Sequence, residues 1–181
     1  MMRLFFAYWP SPGTVAAIEP WVHGAHALYG GRMMRADTLH MTLAFLGPAE
    51  PARALALAEA CGGWRLPSGS MVLHEPGRFR KPGVVWLGPD LSDRAGLSWL
   101  FEANERLWSL LGPYGWQRRE PVFRPHVSLL RNAGPGDLSL LRGPAVPWAP
   151  ERCVLVGSQP GQAGSHYTVL AELPLEGPAA R

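Results

Sequence analysis

The chain has 181 residues, of which 47% are hydrophobic and 17% charged, and its formal net charge is +3 at pH 7. This length suffices for one substantial domain, and the composition is that of a globular protein, not a disordered one. No apolar stretch approaches the ~20 residues that cross a bilayer, and the N-terminal apolar run is too short for a signal peptide, so we expect a cytoplasmic protein without membrane association.

The first half of the chain predicts alternating strands and helices. The predicted elements are a strand over 3–9, a helix within 10–30, a strand over 38–47, a helix over 51–61 and a strand over 70–75. Pro20 is expected to delay the start of the first helix or to kink it. Gly62 and Gly63 are expected to end the second helix.

The second half predicts a similar succession of elements. They are a strand over 83–88, a helix over 92–112, a strand over 125–131, and two final strands over 152–158 and 166–173. Ser92 or Asp93 is the expected cap of the helix. A strand, a helix and a histidine-bearing strand therefore follow one another twice, which indicates a degenerate internal duplication and an α+β structure.

Polar side chains interrupt two apolar strands at alternate positions. "LHMTLAFLG" carries His40 and Thr42, and "RPHVSLLR" carries His126 and Ser128. Because residues i and i+2 of a strand project from the same face, each histidine shares a face with its hydroxyl neighbour. If a pseudo-twofold axis relates the two halves, both imidazoles and both hydroxyls converge on one cleft.

This set of groups suits acid–base chemistry at a phosphate diester. A neutral imidazole can take a proton from water while a second, protonated imidazole gives one to the departing oxygen. Two hydroxyls can hold the non-bridging phosphate oxygens. The inventory requires neither a metal nor a cofactor.

Other interpretations of these residues are less well supported. A lone histidine on an apolar strand is usually a core residue, but here there are two in matching contexts. Zinc is disfavoured because HxH and HExxH are absent and the nearest acid, Asp37, lies on a predicted loop. Ser128 lacks the GxSxG context of a nucleophile. A third tripeptide, which starts at His166, follows a flexible "GQAGS" and is interpreted as chance.

The two tripeptides resemble the paired His-x-Thr/Ser signatures of the 2H phosphoesterase superfamily, and most closely its branch of RNA 2′,3′-cyclic phosphodiesterases, also called 2′-5′ RNA ligases. "RLFFA", "VVWLG", "VGS" and "YTVLAELPL" resemble that branch in the same order. The resemblance implies a bilobal α+β fold, with two antiparallel β-sheets and flanking helices related by a pseudo-twofold around a cleft. We take residues 1–175 as this domain and 176–181 as a frayed tail.

The resemblance also implies hydrolysis of a terminal RNA 2′,3′-cyclic phosphate to a 2′-phosphate, together with reversible 2′-5′ ligation. His40 would be the proton donor to the leaving O3′, and His126 the proton acceptor that activates water. Thr42 and Ser128 would be the phosphate-binding hydroxyls, with Ser128 in place of the commoner threonine. We expect a monomer that uses no metal or cofactor and binds RNA or a nucleotide with a cyclic phosphate. The alternative is a non-catalytic module that binds RNA ends.

Arg131 and Tyr167 are further candidates for substrate binding. Arg131 follows His126 by five positions, so on a regular strand it would face away, and only a strand end or a turn at "RNAG" would bring it inward. Tyr167 is a candidate for stacking on the base beside the scissile phosphate, with core packing as the alternative.

The remaining positive charge is nearly all arginine, which suits bidentate phosphate contacts. Candidates to track an RNA backbone are residues 77–83, Arg118, Arg119 and Arg124, with solvated surface as the alternative for most of them. Cys61 and Cys153 have no metal-binding or redox spacing and are expected to be buried free thiols.

Overall fold

The computed structural model describes residues 1–177, which form three α-helices and ten β-strands. The helices are α1 (Pro12–Tyr29), α2 (Pro51–Cys61) and α3 (Ser98–Leu111). The strands are β1 (Met2–Tyr8), β2 (Arg32–Met33), β3 (Met41–Ala49), β4 (Met71–Leu73), β5 (Glu75–Phe79), β6 (Val84–Gly88), β7 (Val127–Arg131), β8 (Val146–Trp148), β9 (Cys153–Gly161) and β10 (Gly164–Leu173).

Eight of these strands form one antiparallel sheet in the order β10-β9-β1-β3-β7-β6-β5, with β2 paired to the end of β7. Strands β4 and β8 form a second, two-stranded antiparallel sheet. The predicted α+β fold with two antiparallel sheets is therefore confirmed. His40 and His126 lie directly before β3 and β7, one residue outside the strands predicted to contain them, and these two strands are neighbours in the large sheet, where Met41 lies opposite Val127.

The alternation of β1 separates the two faces of the large sheet. Leu4, Phe6 and Tyr8 enter the main core together with residues of all three helices. Phe5 and Ala7 point to the other face, where a small apolar cluster includes no helical residue among those described. Burial of each large side chain stabilises the fold by roughly 1.5–3 kcal/mol. One face of the sheet is thus anchored by helices, and the other is left for the cleft.

Helix α1 begins earlier than the sequence predicted and continues through Pro20. Ser11 is the N-cap, its Oγ accepting a hydrogen bond from the Thr14 amide, and Pro12 occupies the first turn, where its missing N–H costs nothing. The expectation that Pro20 delays the helix is wrong, because Ser11 caps the turns before Pro20 and the buried side chain of Trp21 anchors the helix directly after it.

Helix α3 begins later than predicted, at Ser98 and not after Ser92 or Asp93. The Asp90 carboxylate accepts a hydrogen bond from the Ser92 amide, and the Asp93 carboxylate accepts one from the Gly96 amide. These local side-chain bonds favour turns over helix and delay its start.

Smaller differences concern the strands and the C-terminal segment. The predicted strand over 70–75 is divided between β4 and β5, and β2 and β8 were not predicted. The "GQAGS" segment forms the tip of the β9–β10 hairpin, where Gly161 pairs with Gly164. In the predicted tail, the Glu176 amide donates to the Leu66 carbonyl, while residues 178–181 lie outside the described part.

Two other expectations concern the cysteines and membranes. Cys61 and Cys153 are both free and buried, as predicted. None of the helices within residues 1–177 is long and apolar enough to span a bilayer.

Candidate active site

The register of β3 and β7 brings the four predicted catalytic and phosphate-binding residues together. Met41 lies opposite Val127 in an antiparallel pair, so His40 comes beside Ser128, and Thr42 beside His126. Opposite residues of such a pair have Cβ atoms roughly 4.5–5.5 Å apart and share a face. The result is a block of two imidazoles and two hydroxyls on the face that the helices leave open.

Both imidazole rings are fixed to the backbone in the same way. Nδ1 of His40 lies 2.7 Å from the Thr38 carbonyl oxygen, and Nδ1 of His126 lies 2.6 Å from the Arg124 carbonyl oxygen. A carbonyl can only accept, so Nδ1 carries the proton in each neutral ring and Nε2 is the nitrogen available for chemistry. Nε2 of His40 is 3.2 Å from Oγ1 of Thr42.

Aromatic rings surround His40. Phe5 stacks on the imidazole with centroids 4.8 Å apart, and Trp9 lies parallel to it within 3° at 5.2 Å. Tyr167 meets the ring edge-on at 5.7 Å. His40 is therefore held in one orientation and partly shielded from water.

His126 has a related but different aromatic environment. Phe79 meets its ring edge-on at 5.1 Å, and Trp86 lies 5.8 Å away. Trp86 can occupy this place because Gly77 of β5 lies directly beneath its indole, where any Cβ would overlap the ring. An aromatic layer thus lies behind each histidine on its own half of the sheet.

Burial lowers the pKa of both histidines. The pKa of His40 falls to about 4, chiefly through desolvation, with repulsion from His126 and Arg131 adding to the effect and the hydrogen bond to Thr38 opposing it. Burial also lowers the pKa of His126, opposed by its backbone bond to Arg124 and by Glu120. Both rings are neutral near pH 7 without substrate, and an anion bound between them would raise both pKa values.

A β-bulge sets the direction of Arg131. Adjacent residues of β6 pair with Leu130 and with Ser128, so Leu129 is an extra residue in β7. Leu129 and Leu130 are both buried, and Arg131 returns to the face of Ser128, where it lines the cleft. On a regular strand the side chain of Arg131 would face away from the cleft. The bulge at Leu129, two residues before the strand ends, turns it toward the cleft.

The same irregularity occurs in β3. Adjacent residues of β1 pair with Thr42 and Ala44, so Leu43 is the extra residue and Phe45 returns to the face of Thr42. Phe45 is 45% exposed and lines the cleft. Both segments therefore have the same layout. A histidine is followed two positions later by a hydroxyl residue and five positions later by a side chain that lines the cleft. This repeated layout supports the predicted internal duplication.

A cleft of about 230 Å³ opens beside His40 and Thr42. Arg131 and Tyr167 line it, as do Arg3 and Arg32, which the sequence analysis did not single out. Arg3 could have been found from strand alternation, since it precedes the cleft-facing Phe5 by two positions. Arg32 lies on a two-residue strand that carries no periodic signal.

The structure separates His166 from this group. His166 and Thr168 are exposed, and they alternate with Tyr167, which faces the cleft. Tyr167 packs on Phe5 and also borders the cleft, so stacking on a substrate base stays a prediction. No group of three histidine, cysteine or acidic residues within 1–177 is arranged to hold a metal ion.

Two of the basic candidates outside the cleft are engaged within the protein. Arg78 donates to the Gly134 carbonyl and lies 4.8 Å over the Tyr29 ring. Arg118 forms an ion pair with Glu105 at 2.7 Å. These contacts favour a structural role for both arginines.

Comparisons with known proteins agree with this arrangement. A model of the 2′-5′ RNA ligase superfamily matches residues 10–154, which include both histidine motifs. The RNA 2′,3′-cyclic phosphodiesterase of Escherichia coli (strain K12) is 33% identical over 131 residues, or 72% of each chain. E. coli LigT complexed with 3′-AMP superposes with a TM-score of 0.79 at 28% identity, covering 96% of this chain and 98% of LigT. A protein of Thermus thermophilus gives a TM-score of 0.65 at 26% identity, covering 95% of this chain and 97% of its own. The chain therefore belongs to the 2′-5′ RNA ligase superfamily.

Proposed function

We propose that this protein is an RNA 2′,3′-cyclic phosphodiesterase that hydrolyses a terminal cyclic phosphate to a 2′-phosphomonoester. The observation that carries the proposal is the block of His40, Thr42, His126 and Ser128 at the start of two adjacent strands beside a cleft. The similarity to the E. coli enzyme of that name supports it.

In this reaction His126 is the base and His40 the acid. Nε2 of His126 takes a proton from a water molecule, whose oxygen bonds to phosphorus as the bond from phosphorus to O3′ breaks. Nε2–H of His40 gives its proton to O3′, which leaves the phosphate on O2′. The hydroxyls of Thr42 and Ser128, with Arg131 beside them, hold the non-bridging oxygens in line.

Substrate binding prepares the acid. His40 is neutral near pH 7 in the free protein because burial lowers its pKa to about 4. The negative charge of a bound phosphate favours the imidazolium form and therefore raises this pKa. The same groups run in reverse would join RNA ends through a 2′-5′ bond, as microscopic reversibility permits.

The test is to incubate the protein with an oligonucleotide that ends in a 2′,3′-cyclic phosphate, in the presence of EDTA, and to identify the product by chromatography against 2′- and 3′-phosphate standards. We expect a 2′-phosphate, formed at the same rate with or without chelator. A 3′-phosphate would reverse the assignment of acid and base. Tight binding of the substrate without turnover would establish an RNA-end-binding module instead.

A further inference from the structure

The cleft contains more positive charge than one phosphate requires. Three guanidinium groups, those of Arg3, Arg32 and Arg131, line it, and none of its lining residues within 1–177 is acidic. The ion pairs of this part of the chain leave all three out. Arg131 lies beside the catalytic block, so Arg3 and Arg32 remain without a counter-charge.

Arg3 extends the catalytic face along β1. It lies two residues before Phe5, which stacks on His40, and opposite Ser158 of β9. Two residues of a strand span about 6.6 Å, so Arg3 lies one step further from the imidazole than Phe5 does. Ser158 also lines the cleft and adds a hydroxyl to this end.

Arg32 reaches the same cleft from β2, beside the tip of the β9–β10 hairpin. It pairs with Arg131 across β2 and β7, which places two like charges directly opposite each other. Such a pair is destabilising in the absence of an anion. Its guanidinium lies against Gly164, where a Cβ would come within 3.2 Å of Nη1, and the φ of +110° at this position favours glycine. The hairpin tip thus leaves room for the Arg32 side chain.

Arg35 fixes that hairpin beside the cleft. It donates to the carbonyl oxygens of Ala163 and Ser165 and pairs with Asp37 at 3.2 Å. Its guanidinium is therefore already engaged, in contrast to that of Arg32.

We propose that Arg3 and Arg32, with Ser158, form a second phosphate subsite that binds the internucleotide phosphate on the 5′ side of the terminal nucleotide. Arginine suits this role because its planar donors match two phosphate oxygens at once. The inference rests on the proposed function for the position of the cyclic phosphate. It makes an RNA end, and not a nucleoside cyclic phosphate, the preferred substrate.

The experiment isolates the charge of that one phosphate. Two dinucleotides ending in a 2′,3′-cyclic phosphate are compared, one with an ordinary phosphodiester linkage and one with a neutral methylphosphonate linkage. We expect kcat/KM to be about 10- to 100-fold higher for the charged dinucleotide, as for hydrogen bonds to an ionised group. The preference should weaken as salt is added.

Variants connect the preference to these residues. The double variant Arg3→Gln/Arg32→Gln should reduce the ratio between the two dinucleotides to about one. Arg142→Gln, at an exposed arginine outside the cleft, removes an equal charge and should leave the ratio unchanged. A wild-type ratio near one, or a ratio that survives in the double variant, overturns the subsite.

Two further arms separate this inference from the proposed function. Dissociation constants are measured for the same two dinucleotides ending in a 2′-phosphate, which need no turnover. A charge preference in binding without hydrolysis of either substrate supports the subsite and refutes the proposed enzymatic activity.

A nucleoside 2′,3′-cyclic phosphate, assayed with and without a 5′-monophosphate, distinguishes binding of a terminal phosphate from binding of the internucleotide one. Preference for the 5′-monophosphate over the dinucleotide linkage overturns the assignment to RNA.

Discussion

His40 is a titratable side chain packed among aromatic rings at the edge of the cleft. Phe5 and Trp9 stack on its ring, and both nitrogens have polar neighbours in Thr38 and Thr42. Such packing holds Nε2 in place but disfavours the charged imidazolium, because the ring loses part of its hydration. A bound anion compensates for that loss. The His40 imidazole is therefore already in position before a bound anion favours its protonation.

Removal of either paired imidazole should abolish most of the activity. His40→Ala and His126→Ala are each expected to lower kcat on a cyclic-phosphate substrate by about 10² to 10⁴, the usual range for lost general acid or base catalysis. His166→Ala removes the same side chain from an exposed position and serves as the control. Single-turnover rates measure the effect, and a comparable loss in His166→Ala would mean that the site includes the β10 face.

The pH dependence should differ between kcat/KM and kcat. In the free protein burial places both histidine pKa values below 6.5, so we expect the kcat/KM bell to fall on its basic side already below neutral pH, as His40 loses its proton. Bound phosphate raises the pKa of His40, so the basic limb of kcat should lie at higher pH. Steady-state rates across the acid and neutral range test this, and coincident basic limbs would contradict it. The apparent pKa values of the acidic and basic limbs belong to the coupled pair of histidines and not to either residue alone.

The two hydroxyls should act on phosphate positioning. Thr42→Ala and Ser128→Ala are expected to slow turnover by about 10-fold to 10³-fold, the range for a lost hydrogen bond to developing charge. Thr42→Ser and Ser128→Thr keep the hydroxyl and are the matched controls. Rates of the alanine variants equal to those of the wild type would remove the phosphate-binding role.

At the scale of elements, the sequence predicted the histidine strands well because their evidence is local. Alternation placed His40 with Thr42 on one face, and the apolar neighbours identified the strand. It could not predict the face of Arg131, because "SLLR" is the same with or without an extra residue at Leu129, and only pairing with β6 reveals the bulge. Strand β2 was missed because two residues carry no period and depend on the partner β7.

The contact of β5 with β6 gives a prediction at this scale. Gly77→Ala would place a methyl group inside the Trp86 indole, so we expect a loss of roughly 1–3 kcal/mol in unfolding free energy and a lower kcat/KM, because Trp86 contacts His126. Gly62→Ala is the control, since a Cβ added at Gly62 would meet nothing within 4 Å and the φ of this residue is −62°. Urea denaturation and steady-state kinetics measure both effects, and equal stability of the two variants would refute the close packing.

For the whole molecule, the half-buried histidines couple folding to pH. The unfolded chain takes up a proton at His40 near pH 6.5, whereas the folded protein resists protonation until about pH 4. The unfolding free energy should therefore be full above pH 6.5 and fall as pH decreases toward 4, by on the order of 3 kcal/mol from His40. Urea denaturation at several pH values measures it, and His40→Gln should show a shallower decrease. An equal slope in this variant would place the loss elsewhere.

The backbone partners of the two imidazoles bear on how the protein tolerates mutation. Nδ1 of each ring is held by a main-chain oxygen, at Thr38 and at Arg124, and not by a carboxylate side chain. Every amino acid supplies that oxygen, so a replacement at either position can alter stability or charge but keeps the acceptor that selects the tautomer. Evolutionary drift at these two positions therefore leaves the chemistry of Nε2 intact, and the absence of an acidic neighbour beside a histidine is no sign that a related chain has lost its activity.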